Sequence, residues 1–387
     1  MKRFIFIIFV AMAELNCFNN KVAHKEEEIE WSVAAVLPSA DGIGEQPGLA
    51  GPVTGIIYNR LIVGGGANFP EGMPWHGAKK VYHDEIYLFE KKNGRIVNAA
   101  VSKQKLPQPV AYCANIMTPE GVIYIGGENE QGILDKVVLV KYKATSNEID
   151  FFDLPSLPLP LTNLSAAYSN HIIYAGGGNS KGGNSNKFFS LDISMPGANW
   201  QTLPDIPVKI SFAVMAAQSN GVHNCIYLIG GRQKNSNGIS DIFNTVYQFD
   251  IKDNRWKQKQ SLPYQVSAGT GIANGSNHIL LFGGDKGETF NREENLSAII
   301  RNEKDEQKNK SLVKEKITLL EAHPGFISDV LLYNTITDTW EKTNPLPPGS
   351  PVTTTAVKWG DDIIIPSGEI KAGVRTPKIL VGKTPVP

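Results

Sequence analysis

Cysteine is scarce in this chain, with three among 387 residues, at positions 17, 113 and 225. A disulfide framework needs more, and no Cys/His spacing matches a structural zinc site, so no metal is expected. Cys113 and Cys225 each sit in an apolar, strand-like context, which predicts two buried free thiols. An excess of either charge is also missing, since Lys+Arg and Asp+Glu both count 38. Nucleic-acid binding normally needs a basic face, so no nucleic-acid partner is expected. A small anionic ligand stays open, because a site needs only local charge. Long apolar runs are absent too: the stretch from Phe4 to Ala13 is too short to span a bilayer. What the chain does have is 37 glycines, 24 prolines and 9% aromatics, a mix that favours many short strands joined by turns.

The N-terminus has the order of an export signal. Met1-Lys2-Arg3 is basic, the apolar stretch follows, and Ala11-Met12-Ala13 supplies small residues. Residues 1–17 are read as that signal, 18–30 as a polar tether, and 31–387 as the folded body. The location expected is exported and periplasmic. Leu15-Asn16-Cys17 offers an alternative, a lipoprotein cleavage site with lipid on Cys17, although Glu14 stands where such sites carry an apolar residue.

Paired glycines, or Ser-Gly once, end apolar runs six times. They are Gly64-Gly65, Gly126-Gly127, Gly176-Gly177, Gly230-Gly231, Gly283-Gly284 and Ser367-Gly368. A Leu-Pro pair precedes each, at Leu37, Leu106, Leu157, Leu203, Leu262 and Leu346. After most of them comes an aromatic strand, a turn and often Trp, as in Tyr247 to Trp256 and Tyr333 to Trp340. The pattern resembles the kelch repeat over about 31–383. That resemblance implies an all-β fold, a six-bladed β-propeller of four-stranded blades. Trp31 to Leu37 looks like the last strand of a blade and Thr376 to Val381 like a third strand. The sixth blade is therefore expected to close by pairing the N- and C-terminal strands, which removes an exposed sheet edge.

Strands alternate direction within a blade, so all loops that follow the glycine pairs share one face. They carry Asn68, Glu128, Asn179, Arg232, Asp285 and Glu369. Two are long. One runs from Ala67 to Asp84 and holds Trp75, His76, Lys79 and Lys80. The other, 285–328, is charged, looks helical from Leu296 to Leu320, and is read as a lid. These loops belong to blades one and five, the neighbours of the blade that owns Glu369. Topology thus predicts a site over blades five, six and one.

Ser367-Gly368-Glu369-Ile370-Lys371-Ala372-Gly373-Val374-Arg375-Thr376 is the stretch most able to carry chemistry. It resembles the Gly-Glu-x-Lys-x-Gly-x-Arg-Thr segment of bacterial N-acetylneuraminate epimerases, the sialic acid mutarotases, in their cyclically permuted branch. Gly65-Gly66-Ala67-Asn68-Phe69, Gly77-Ala78-Lys79-Lys80 and Gly126-Gly127-Glu128 are similar to further segments of that family. The resemblance implies an isomerase that interconverts the α- and β-anomers of sialic acid by acid/base ring opening and reclosure, without a cofactor. It places the catalytic carboxylate at Glu369 and the carboxylate-binding fork at Arg375. Lys79, Lys80, Asn68 and Glu128 match the family's loops by position and are implied as substrate-binding residues. The general acid is not assigned; His76 and His323 are candidates. The competing expectation is a non-catalytic propeller that uses the same face to bind a glycan or protein partner. Asp-box repeats of the sialidase kind are absent from the sequence.

Overall fold

A computed structural model describes residues 29–40 and 46–383. The expected signal and nearly all of the tether, Cys17 included, lie outside the described residues.

Six four-stranded antiparallel sheets form the body. In blade 1 the strands are Val53–Ile57, Arg60–Gly64, Ile86–Lys92 and Arg95–Val101, ordered from the pore outwards. Blade 6 uses Val357–Trp359, Asp362–Pro366 and Lys378–Lys383, and takes its outer strand, Glu30–Val36, from the N-terminus. Glu30 pairs with Lys383 and Val36 with Lys378, so the ring closes as the repeat phase predicted.

The apolar core lies between blades rather than inside them. Each hydrophobic cluster draws on two neighbouring sheets, for example Tyr87 and Phe89 of blade 1 against Ile364 and Val381 of blade 6. Large fully buried tyrosines recur at Tyr87, Tyr124, Tyr227 and Tyr333. Cys113 and Cys225 are buried free thiols. Burying roughly 150–250 Å² per aromatic side chain makes these interfaces the main source of cohesion.

Two repeat assignments shift by a few residues. In blades 1 and 3 the glycines with positive φ are Gly65-Gly66 and Gly177-Gly178, while Gly64 and Gly176 still belong to the strand. A run of three glycines made the sequence reading ambiguous there. At the end of blade 3 the fully buried residue before a proline is Ile206, not the half-buried Leu203. The Ile206 N–H donates to the Asn186 carbonyl as the Leu157 N–H donates to that of Asp135. Only in blade 6 is the first position of the pair not glycine. There Ser367 takes φ 56°, and its hydroxyl accepts from Leu49 N–H and donates to the Thr376 carbonyl, both at 2.8 Å.

A closed belt of backbone hydrogen bonds encircles the pore. Gly51 N–H donates to Thr353, Thr353 to Ala268, Ala268 to Phe212, Phe212 to Asn163, Asn163 to Tyr112 and Tyr112 to Gly51, at 2.7–3.1 Å. All six residues sit at positive φ. Five of them carry side chains, and such backbone typically costs about 1–3 kcal/mol per residue. The mutual closure of the belt holds them there.

On the face above the belt, the residue after each glycine pair bridges to the residue preceding the belt position: Ala67, Glu128, Asn179, Arg232, Asp285 and Glu369. In blades 1, 2, 3, 4 and 6 the loop continues as a short two-stranded ribbon. Blade 5 instead inserts two helices, α1 (Glu288–Asn302) and α2 (Glu306–Glu321). The predicted helical span thus begins earlier and is interrupted at Glu303–Asp305, where Asp305 caps α2 by accepting from Lys308 N–H.

Candidate active site

The belt forms the floor of a cavity of about 600 Å³. The ribbons of blades 1, 2 and 6 supply part of its wall, Arg232 of the blade 4 ribbon adds to it, and residues 285–326, with both helices, supply the rest. Glu293 to Lys316 (2.6 Å) joins α1 to α2, and His76 to Glu321 (3.0 Å) ties α2 to the long loop of blade 1. Buried Glu294 accepts from the Ser240 N–H (2.6 Å) and hydroxyl (3.1 Å), which docks α1 on blade 4.

The local fold explains the Glu-to-Arg spacing. Glu369–Lys371 and Val374–Arg375 form a hairpin in which Glu369 lies directly opposite Arg375. Gly373 makes the turn at φ 72° and presses against Met73 and Trp75. Its N–H donates to Glu369 Oε1 at 2.8 Å, and Arg375 Nη1 lies 3.6 Å from the same oxygen. Phe69 stacks on the guanidinium, with its ring centre 4.7 Å away. The Arg375 side chain is only 5% exposed.

Arg375 nevertheless lacks hydrogen-bond partners at Nε and Nη1, and two other wall residues hold buried orphans, Trp75 Nε1 and Thr353 Oγ1. Buried polar atoms are nearly always paired. Several orphans converging on one cavity mark the place of a polar ligand. A buried guanidinium with unpaired N–H groups beside a cavity suits an anionic group such as a carboxylate.

A second cluster stands opposite. Glu128 Oε1 accepts from Tyr82 OH at 2.7 Å and from Lys80 Nζ at 3.2 Å. Burial, then the Glu128 carboxylate, pushes the Tyr82 phenol up to about 12. Burial pulls the Lys80 ammonium down, but Tyr112, Glu128 and Tyr82 outweigh it and leave Lys80 above its ordinary value, hence charged. Lys80 also sits 5.0 Å from the ring centre of Tyr112, a belt residue. Arg232 is held between Phe212 and Phe290, at 3.9 and 4.2 Å.

Of the residues singled out in the sequence, Glu369, Arg375, Lys80 and Glu128 line this cavity. Asn68 and Lys79 do not. Asn68 is buried, donating to the Gly48 carbonyl (2.9 Å) and bonded to His83 (2.9 Å). Lys79 is exposed. Neighbouring residues on extended chain face opposite ways, so in the pairs Asn68/Phe69 and Lys79/Lys80 only Phe69 and Lys80 line the cavity. His76 is exposed and paired with Glu321. His323 is buried in the wall. Its Nδ1 accepts from Gly325 N–H at 3.0 Å, which puts the proton of the neutral ring on Nε2. Burial lowers its pKa, despite Asp285 and Glu369, so it is uncharged at neutral pH and offers a neutral donor. Trp75, Tyr82, Tyr112 and Arg232 received no role in the sequence reading; Arg232 had a signal in its place after a glycine pair, and Trp75 in its place on the long loop of blade 1.

His223, Cys225 and Asp250 also meet, on blade 4 away from this cavity. Asp250 there already accepts from His223, Lys257 and the N–H groups of Lys252 and Asp253. Its oxygens are taken up by the fold.

These features define a six-bladed β-propeller with a polar, charged cavity above its pore. A family model described as N-acetylneuraminate epimerase matches residues 16–149 and 154–385, and the chain belongs to that family. Relatives of that name include one from Haemophilus influenzae (strain 86-028NP), 27% identical over 234 residues, and one from Vibrio vulnificus (strain YJ016), 28% identical over 230 residues. A third, from Yersinia pestis (strain Pestoides F), is 34% identical over 119 residues. The first alignment covers 59% of this chain and 59% of the relative, the second 58% of each, and the third 28% and 29%.

Proposed function

We propose that this protein is a mutarotase interconverting the α- and β-anomers of N-acetylneuraminate. One observation carries the reading: a buried guanidinium with unpaired N–H groups stands beside a carboxylate, in the wall of the cavity, in a chain of the epimerase family. Arg375 takes the sugar carboxylate. Glu369 removes the proton of the anomeric hydroxyl. The bond from the anomeric carbon to the ring oxygen then breaks, its electron pair stays on that oxygen, and the oxygen takes a proton. Both oxygens sit on one carbon, so the carboxyl group that received the first proton is placed to return it. Rotation and the reverse steps yield the other anomer. No electron is transferred, so the chemistry calls for no cofactor. His323 Nε2–H and the Lys80–Glu128–Tyr82 cluster offer hydrogen bonds to the remaining polar groups.

The basic, apolar and small-residue order of residues 1–13 supports an exported, periplasmic protein, with lipid attachment at Cys17 as the alternative end of the same route. The six glycine pairs support a kelch-type repeat. The decisive test is NMR on freshly released α-N-acetylneuraminate with and without protein. Acceleration of the α-to-β change is expected; exchange no faster than in buffer overturns the proposal.

A further inference from the structure

Arg232 is a charged group of this site that the ring-opening chemistry leaves unused. Its guanidinium is stacked between Phe212 and Phe290 and makes no hydrogen bond to another described residue. It also stands in two cavities at once. Beyond it opens a groove of about 1140 Å³ between α1 and the ribbons of blades 3 and 4. The groove shares Phe212, Arg232, Phe290 and Glu293 with the first cavity.

The groove is positive. Its two carboxylates are already engaged: Glu293 by Lys316 at 2.6 Å, and Glu294 by Ser240, with Lys234 at 3.4 Å. Lys209 and Arg301 line the groove and have no ion-pair partner among the described residues. Gln233, Asn235 and Ser236 add polar lining of the sort that sugar hydroxyls use. The first cavity, at about 600 Å³, already falls within the roughly 300–1,000 Å³ of a site for one small ligand. One monosaccharide therefore leaves the groove empty.

We propose that the groove is a subsite for a second acidic sugar unit, so that the protein acts on the reducing end of an acidic oligosaccharide as well as on the free sugar. The reducing unit lies over Glu369 and Arg375. The second unit passes Arg232, whose fork suits a carboxylate, and settles among Lys209, Arg301 and the amides. This inference rests on the mutarotase reading of the first cavity.

The test compares N-acetylneuraminate with its α2,8-linked dimer, following anomeric exchange of the reducing unit by saturation-transfer NMR. The proteins are wild type and the double variant Lys209→Glu, Arg301→Glu. Both positions are exposed, so the variant is expected to fold. Wild type should accelerate both sugars, and calorimetry should show tighter binding of the dimer. The double variant should lose roughly tenfold or more in kcat/KM for the dimer, about what reversing two surface charges next to a ligand charge can supply. Its monomer rate should stay within about twofold of wild type. Acceleration of the monomer alone, dimer binding no tighter than monomer, or an equal loss on both sugars each overturns the subsite and leaves the mutarotase reading intact. If neither sugar is accelerated, the mutarotase reading falls and takes the subsite with it.

Discussion

Replacing Glu369 by Gln isolates proton transfer from shape. Glu369 Oε1 accepts from Gly373 N–H and faces Arg375, and the amide oxygen of Gln can occupy that place. The hairpin should therefore survive. What is lost is the ability to hold a proton, and a general acid–base group typically contributes about 10²–10⁴-fold. The exchange rate should fall by that factor, a barrier increase of roughly 2.7–5.4 kcal/mol. The variant also leaves Arg375 without its countercharge. At 3.6 Å and an effective dielectric near 20, that attraction is about 4–5 kcal/mol before the cost of desolvating the pair is set against it. A lower melting temperature is thus expected, with the same cooperative transition. Sugar affinity should hold or rise slightly, since an unpaired Arg375 faces the ligand. Saturation-transfer NMR gives the rate and calorimetry the affinity. Exchange within threefold of wild type in a folded variant would refute Glu369 as the proton carrier.

Arg375→Lys keeps a charge but loses the fork; one charge-assisted hydrogen bond, about 1.5–3 kcal/mol, corresponds to roughly 10- to 150-fold weaker sugar binding with the turnover rate little changed, and unaltered affinity by calorimetry would contradict the clamp. Ser367→Ala strands the Leu49 N–H in the core and should cost about 1–3 kcal/mol in denaturant unfolding. Ser367→Gly should recover part of that loss because φ 56° suits glycine; equal stability of all three proteins would discount the hydroxyl's role. Burial, with Lys371, holds the His323 pKa below 6.5 against the pull of Asp285 and Glu369, so between the two values the unfolded chain binds more protons. His323 therefore makes stability fall as pH drops from 7.5 to 5.5, and His323→Asn, which keeps an acceptor for Gly325 N–H, should flatten that slope in melting experiments. Parallel slopes would show that His323 does not titrate this way.

Much of this was legible because the repeat is written in glycine and proline. A positive φ at a fixed place in each blade leaves a mark that survives divergence elsewhere, and the count of six with its out-of-phase start followed directly. Where three glycines run together, at 64–66 and 176–178, the mark loses its register by one residue. The Glu369 and Arg375 pair could be read from its resemblance to one family segment, and the structure sets the two opposite each other on one hairpin. Tyr112 could not, since its closeness to Lys80 arises from the curvature of the ring across blades 1 and 2. Nor could the orphaned nitrogens of Arg375, because a missing partner is a property of the packed cavity and not of any local pattern. Asn68 and Lys79 stand beside residues that do face the cavity, and sequence similarity alone does not resolve which of two neighbours turns inward.

The bond between the two ends of the chain also sets a timetable. Glu30–Val36 is the first described strand to be made, and its partner Lys378–Lys383 is the last. Every blade must be in place before the two can meet, so closure is the contact of longest separation and comes late in folding. Until then Lys378–Lys383 presents one unpaired edge, and Ile29 and Trp31 are missing from the cluster they complete beside Phe282 and Leu380. A waiting edge accepts any strand of the right sequence, including the same strand of another molecule. At high protein concentration, refolding should therefore yield chains linked by exchanged first strands, and dilution before refolding should favour the closed ring.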